Sequence, residues 1–468
     1  MNAENRIARW KGGLITGLWV LVIGMLAVFA WRYADERLYA DSGYYLFRVI
    51  NESDVHVEHG RWVLMLAQAI PLLGVKLGLE MGTIVKLHSL SNVVFLALSI
   101  TYAVGVLKDR RTAILIAMSQ VLGLAHGLFC PVFELYYGVG LVLLFHATLT
   151  NDAMNGYQRM ALASLLFLGA LSSHPMAWPL LLGSLVLLDR RQRRPVIRIL
   201  ILIVIAFAIV RGLTMSTYEA AQISFVQRLA FPSLVFGLFT PDVLLEQLRR
   251  VLLHYPDVFA LAVFSVVILW RSDQRRSALL LVAGSLGLYI LVGLYLPDAA
   301  HDRYREQVDY AFTAWTLLVI LSRVWPLERW WPALLILMVV CTGYRVMYVS
   351  SIASYYEART QWQQDLIASA RAQHIQKAII DPQGIAFGTV DDRVSPYWST
   401  GVETLLLSAK EGAERTVSII TTDDLQCPVV PEHLDKLVLR CWDVLEPDEI
   451  NRRYFRLEEA PYERKSFN

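Results

Sequence analysis

Apolar blocks of roughly 15–25 residues recur along this chain, and a helix of that length crosses the ~30 Å hydrocarbon core of a bilayer. The first block, 13–31, follows Arg6, Arg9 and Lys11 and runs on into Arg32, Tyr33 and Asp35. It lacks a small-residue cleavage site, so it reads as an uncleaved span rather than a signal peptide. Only 18% of residues are charged and 56% are hydrophobic, whereas soluble domains carry about 25% charged residues. Basic residues lie in short scattered clusters and the net charge is +2, which points to no nucleic-acid partner. The expected fold is a polytopic all-α membrane protein.

Spans are expected near 13–31, 84–106, 112–129, 137–150, 160–173, 175–188, 197–211, 255–270, 277–294, 308–322 and 331–349, about eleven crossings. Alternate connections collect Arg6–Lys11, Lys108–Arg111, Arg159, Arg190–Arg194, Arg271–Arg276 and Arg323–Arg329 on one side. Short cytoplasmic loops carry the Lys/Arg excess, so the N-terminus is expected inside, in a multi-pass inner plasma membrane. Counting 62–79 as a span would invert every later loop. That stretch is therefore expected to lie in the outer interface, broken at Pro71. In 212–254, the spacing of Val243, Leu244, Leu245, Leu248, Val251 and Leu252 gives an apolar helical face beside Arg249 and Arg250.

The transmembrane domain is thus expected over 1–349, with an outer loop at 32–83. Residues 350–468 form a small C-terminal α/β domain on the extracytoplasmic, periplasmic side. The stretches "TVSIITTDDL" and "KLVLRCWDVL" are strand-like, and 357–377 reads as helix. Cys427 and Cys441 can form a disulfide in an oxidising compartment, or stay as two thiols.

Ionisable residues gather in the outer connections. The first loop holds Asp35, Glu36, Asp41, Glu52, Asp54, Glu58, His56, His59, Arg48 and Arg61. Glu134 follows the third span, His174 the fifth, and 296–310 carries His301, Arg303, Tyr304, Arg305 and Glu306. Ionisable groups at the membrane edge are costly to place and are functional-site candidates by default. His56 and His59 beside Asp54 and Glu58 can bind a divalent cation, though the spacing is weakly specific. P-loop, dinucleotide, HExxH, CxxC and GxSxG patterns are absent from the sequence. Mid-span positions look mostly apolar, unlike the polar or broken spans of transporters.

On these residues the chain resembles the GT-C membrane glycosyltransferases, which include the protein O-mannosyltransferases and lipid A aminoarabinose transferases. That family places an Asp-Glu-x-Tyr-Tyr motif in the loop after its first span. Asp41-Ser42-Gly43-Tyr44-Tyr45 has this shape with Ser42 in place of the second acid, and Asp35-Glu36 is an alternative acidic pair. An interfacial helix follows in the family, matched by the stretch starting at His59, and a late Arg-Tyr pair, matched by Arg303-Tyr304. The resemblance implies an inverting transferase that takes a sugar from a polyprenyl-phosphate donor to a glycan, lipid or protein acceptor. It implies Asp41 as base, Glu134 as a second acid, and His301, Arg303, Tyr304 and Arg305 around the donor phosphate. Tyr44, Tyr45, His59, Arg61 and His174 would contact substrate, and a metal requirement is left open. The alternatives are an O-antigen ligase or polymerase, a lipid-linked sugar transporter, and a non-catalytic scaffold.

Overall fold

The computed structural model describes residues 3–188, 190–214, 235–295, 302–381, 394, 397–427, 429–440 and 443–465. It is mostly helical. In chain order the α-helices are α1 Ala3–Arg32, α2 Asp41–Glu52, α3 Leu64–Lys76, α4 Met81–Thr101, α5 Arg110–Ser119, α6 Glu134–Leu149, α7 Gly156–Leu171, α8 Ala177–Leu187 and α9 Arg190–Leu213. They continue with α10 Pro241–His254, α11 Pro256–Arg271, α12 Arg275–Tyr295, α13 Asp302–Val319, α14 Trp331–Ala372 and α15 Thr400–Ala409.

Among the described residues five helices are long and apolar enough to cross a membrane, or up to six if the bent pair α10–α11 counts as one. They are α1, α4 with its terminal π-turn, α9, α12 and α14. Their outward residues are large and apolar: Leu21, Leu98, Leu202, Leu279 and Ile336 are each more than half exposed. Water would penalise such faces on every side of a bundle, whereas lipid does not. The chain is therefore a multi-pass membrane protein.

Ten of the eleven expected spans coincide with helices. The exception is 112–129, where α5 stops at Ser119 and an irregular segment with a short 3-10 turn, His126–Phe129, leads to α6. Every residue from Thr112 to Leu149 is buried, so this segment is the centre of the bundle. Irregular backbone is tolerated at membrane depth only where protein surrounds it and satisfies its polar groups. Glu306 does so by accepting the N–H groups of Ala125 at 2.9 Å, His126 at 3.1 Å and Gly127 at 2.6 Å. Asp257 accepts that of Gly123 at 3.1 Å. Asp257 is itself paired with Arg345, whose Nε donates at 3.0 Å, and both side chains are fully buried. Asp257, in the first turn of α11, and Glu306, near the start of α13, stand at the ends of expected spans and supply the acceptors that the broken backbone needs.

Two further expectations change. Pro71 sits inside α3 without breaking it, at the loss of one backbone bond. The C-terminal helix is not separate from the last span. α14 runs 42 residues without interruption, about 63 Å at 1.5 Å per residue, straight through the boundary drawn at 349/350.

Beyond α14 lies a small α/β region. β1 Lys377–Ile380 pairs in parallel with β2 Ser418–Thr421 and β5 Glu463–Arg464, in the order β2-β1-β5. The connection from β1 to β2 contains α15, which packs on β2. β3 Leu437–Arg440 and β4 Asp443–Leu445 form an antiparallel pair. Both strand-like stretches are strands. β1 was not anticipated, since 357–377 read as helix and the helix ends at Ala372. Cys427 is disulfide-bonded, Cys130 and Cys341 are buried thiols outside any disulfide, and Cys441 lies outside the described residues.

Candidate functional site

The C-terminal region sits on one end of the bundle and shapes the loop between α1 and α3. The chain enters α2 through Ala40, whose φ of 53° and ψ of −124° lie far from the helical region. A non-glycine residue at positive φ is uncommon and needs support. Glu403 of α15 supplies it by accepting the Ala40 N–H at 2.8 Å. Glu403 is itself buried and receives Arg359 at 3.0 Å, Gln363 and Ser399. Gly43 is dictated by the same approach, since a Cβ there would lie 2.4 Å from the Leu38 carbonyl oxygen and 3.6 Å from Glu403 Cγ.

Asp41 opens α2, where a carboxylate suits the helix dipole. Ser42, which stands where the resembled motif has its second acid, is buried. Its Oγ bonds the Arg37 carbonyl and the His88 Nε2 at 2.9 Å. A carboxylate at that place would face the buried His88 without solvent. Asp35, of the alternative acidic pair, is held by Lys410 at 2.7 Å. Burial pushes the neighbouring Glu36 carboxyl up to about 7.

Arg61 and Glu134 meet, although 73 residues separate them. Arg61 Nη1 donates to Glu134 Oε1 at 2.6 Å. His59 and Gly60 are both left-handed, with φ of 53° and 60°. Two such residues reverse the chain and turn Arg61 toward the start of α6. A Cβ at Gly60 would meet Nη1 of Arg211, at the end of α9, so the Arg211 guanidinium packs directly on this turn. Tyr45 is buried at the centre of this group. Burial first, then the carboxylates of Glu134, Glu58 and Asp41, hold its phenol well above the ordinary value. His174 is buried at the turn before α8, and its Nδ1 accepts the Met176 N–H at 3.1 Å. Burial and then the Arg61 charge keep it neutral, lowered to about 3. Asp41, Tyr45, Arg61, Glu134 and His174 therefore form one neighbourhood.

Tyr44 adjoins this group, since its hydroxyl and that of Tyr45 both donate to Glu58, at 3.0 and 3.3 Å. Its hydroxyl receives Arg48 Nε at 3.1 Å and Arg440 Nη2 at 2.8 Å, and lies 2.8 Å from Asp443 and 3.0 Å from Glu58. Arg440 also stacks over the ring at 3.8 Å. This joins α2 to the β3–β4 hairpin, so Tyr44 ties the two regions together. His56 lies beside it, 3.1 Å from Glu52 and 3.4 Å from Glu58. Burial alone would lower the His56 pKa, but these carboxylates outweigh it and raise it to about 9. Glu58 shows the converse: its burial is outweighed by His56, Arg440 and Tyr44, which bring it down to about 2. Among the described residues no three His, Cys, Asp or Glu side chains converge as metal ligands. Both ring nitrogens of His56 face carboxylates, those of Glu52 and Glu58.

The loop expected to hold the donor phosphate is partly described. His301 and the side chains of Arg303 and Tyr304 lie outside the described residues. Arg305 is buried on α13, 3.5 Å from Asp309, and Arg250 of α10 approaches the same carboxylate at 3.4 Å. Arg211, Arg250 and Glu403 were not singled out from the sequence as site residues. Arg211 and Arg250 lie at helix ends where charge is ordinary, and Glu403 sits inside an apolar helix with no signal beyond its isolation. No family model, no curated protein and no solved structure matches this chain.

Proposed function

We propose that this protein is an inverting membrane glycosyltransferase of the GT-C type, moving a sugar from a polyprenyl-phosphate donor to a glycan, lipid or protein acceptor. The observation that carries the reading is the gathering of Asp41, Tyr45, Arg61, Glu134 and His174, from three distant loops, beneath the C-terminal region. The charge asymmetry of the loops supports a cytoplasmic N-terminus and, with it, an outer face for this cluster. We retain about eleven crossings as part of the proposal, with shorter helices such as α6 completing the bundle. The 102° bend between α10 and α11 suits α10 to lying along the interface, with its apolar residues in lipid.

In the proposed reaction an Asp41 oxygen takes the proton of the acceptor hydroxyl as the hydroxyl oxygen attacks the anomeric carbon. The bond from that carbon to the phosphate oxygen breaks on the opposite face, inverting the centre. Polyprenyl phosphate leaves with the electron pair, and arginines stabilise its growing charge. Arg305, with Arg250 and Arg211, is the described source of such cations, and Arg303 completes the assignment. Glu134, fixed by Arg61, orients the acceptor.

Mass spectrometry of lipid co-purifying with the protein tests the donor class: a polyprenyl phosphate is expected. Asp41→Asn should stay folded and lose sugar transfer, and wild-type transfer in that variant removes the base assignment. Arg303→Ala should weaken donor binding more than acceptor binding. A transport reading draws on His146, buried between Ser184 and Ser322 at 2.9 Å each. Vesicle transport without covalent product would favour it.

A further inference from the structure

We infer that Glu403 is the positioning residue for Asp41, so that the C-terminal region is an integral part of the active centre. The inference rests on the transferase reading for its catalytic meaning, and on geometry alone for the tether itself.

Four donors converge on two oxygens. The Ala40 N–H and the Ser399 hydroxyl reach Oε1, while Arg359 and Gln363 reach Oε2. Three of these groups belong to α14 or to Ser399, the residue that precedes α15, and the fourth is the backbone immediately before Asp41. Ala40 is fully buried, is held at positive φ, and its carbonyl accepts the Tyr44 N–H at 3.2 Å as α2 begins. Its conformation therefore sets both the direction of α2 and the place of the Asp41 carboxylate. Arg359 lies 5.3 Å from the Tyr39 ring, so the residue before Ala40 is also gripped. The acceptor of the Ala40 N–H comes from 363 residues away.

A carboxylate suits the role because both oxygens only accept. Glutamine would place an NH2 group opposite two of the four donors, and the Ala40 tether or the Arg359 pair must then open. A general base displaced by about 1 Å can lose roughly 100-fold in rate.

The experiment uses the full-length protein in nanodiscs, with total polyprenyl-phosphate sugars extracted from membranes as the donor probe. Glu403→Gln should lower kcat about 100-fold while leaving the donor KM within about twofold. Amide exchange of a peptide spanning 38–44 should accelerate at least about tenfold, with β1 still protected. Unchanged exchange at 38–44, or a changed KM with unchanged kcat, overturns the inference. If β1 also loses protection, adding Ala40→Gly to Glu403→Gln decides, because glycine takes positive φ without support. The double variant should recover at least about threefold in kcat over Glu403→Gln at constant KM, and no recovery overturns the inference. If the wild type transfers no sugar from these donors, the transferase reading falls, while the exchange comparison still judges the tether.

Discussion

Arg61 Nη1 lies 2.6 Å from Glu134 Oε1, joining the loop between α2 and α3 to the first turn of α6. Glu134 is nearly buried and Arg61 is about a quarter exposed. Removing the cation would leave a carboxylate in a poorly solvated place. Arg61→Ala should destabilise the protein by about 2 kcal/mol, more than a surface pair's ~0.5. Adding Glu134→Gln should recover part of that loss. Thermal melting of the two single variants and the double variant measures the coupling, and simple additivity would argue against it.

The latch between α2 and the β3–β4 hairpin should weaken at both pH extremes. His56 is raised from 6.5 to about 9, so its contribution is complete below 6.5 and is lost as pH rises through about 9. Glu58 is lowered from 4.5 to about 2, so its contribution is complete above 4.5 and is lost as pH falls toward about 2. Docking should therefore be tightest between 4.5 and 6.5. Exchange protection of residues 436–445 across pH, corrected for intrinsic rates, reads this directly. Flat protection from 5 to about 10 would contradict it.

Gly43→Ala should be poorly tolerated. Its Cβ would meet the Leu38 carbonyl oxygen at 2.4 Å, a backbone atom with little freedom to move. A loss of about 1–3 kcal/mol, typical of overpacking, is expected in melting. Gly13→Ala has open space and serves as the control.

Arg345→Met should cost about 3–5 kcal/mol, because it strands the buried Asp257 carboxylate that also caps Gly123. Arg345→Met with Asp257→Asn should melt closer to wild type than Arg345→Met alone. A double variant no better than the single one would show that the pair acts independently.

The helices were legible because apolar length and charged punctuation are local properties. Segment 112–129 was misread because burial by protein and burial by lipid call for the same apolar residues. The sequence carries no mark that Ser119 ends a helix when the acceptors closing the break, Glu306 and Asp257, are more than a hundred residues away. The loops bearing Asp41, Glu134 and His174 could be grouped by sidedness. The Arg61–Glu134 contact and the Tyr44 latch could not, since each depends on three-dimensional register. β1 escaped notice because four residues, Lys377–Ile380, are too few to show an alternation.

The unbroken α14 makes its length a form of phase control. Each residue in a helix adds about 1.5 Å of height and about 100° of rotation. Arg345 grips Asp257 at one level, and Arg359 and Gln363 grip Glu403 further along the same rod. A single-residue insertion between 345 and 359 would leave both ends of the rod intact and swing the upper grip to another compass bearing. The spacing of these residues thus works like the teeth of a gear, in which chain length is itself a constraint as strict as side-chain identity.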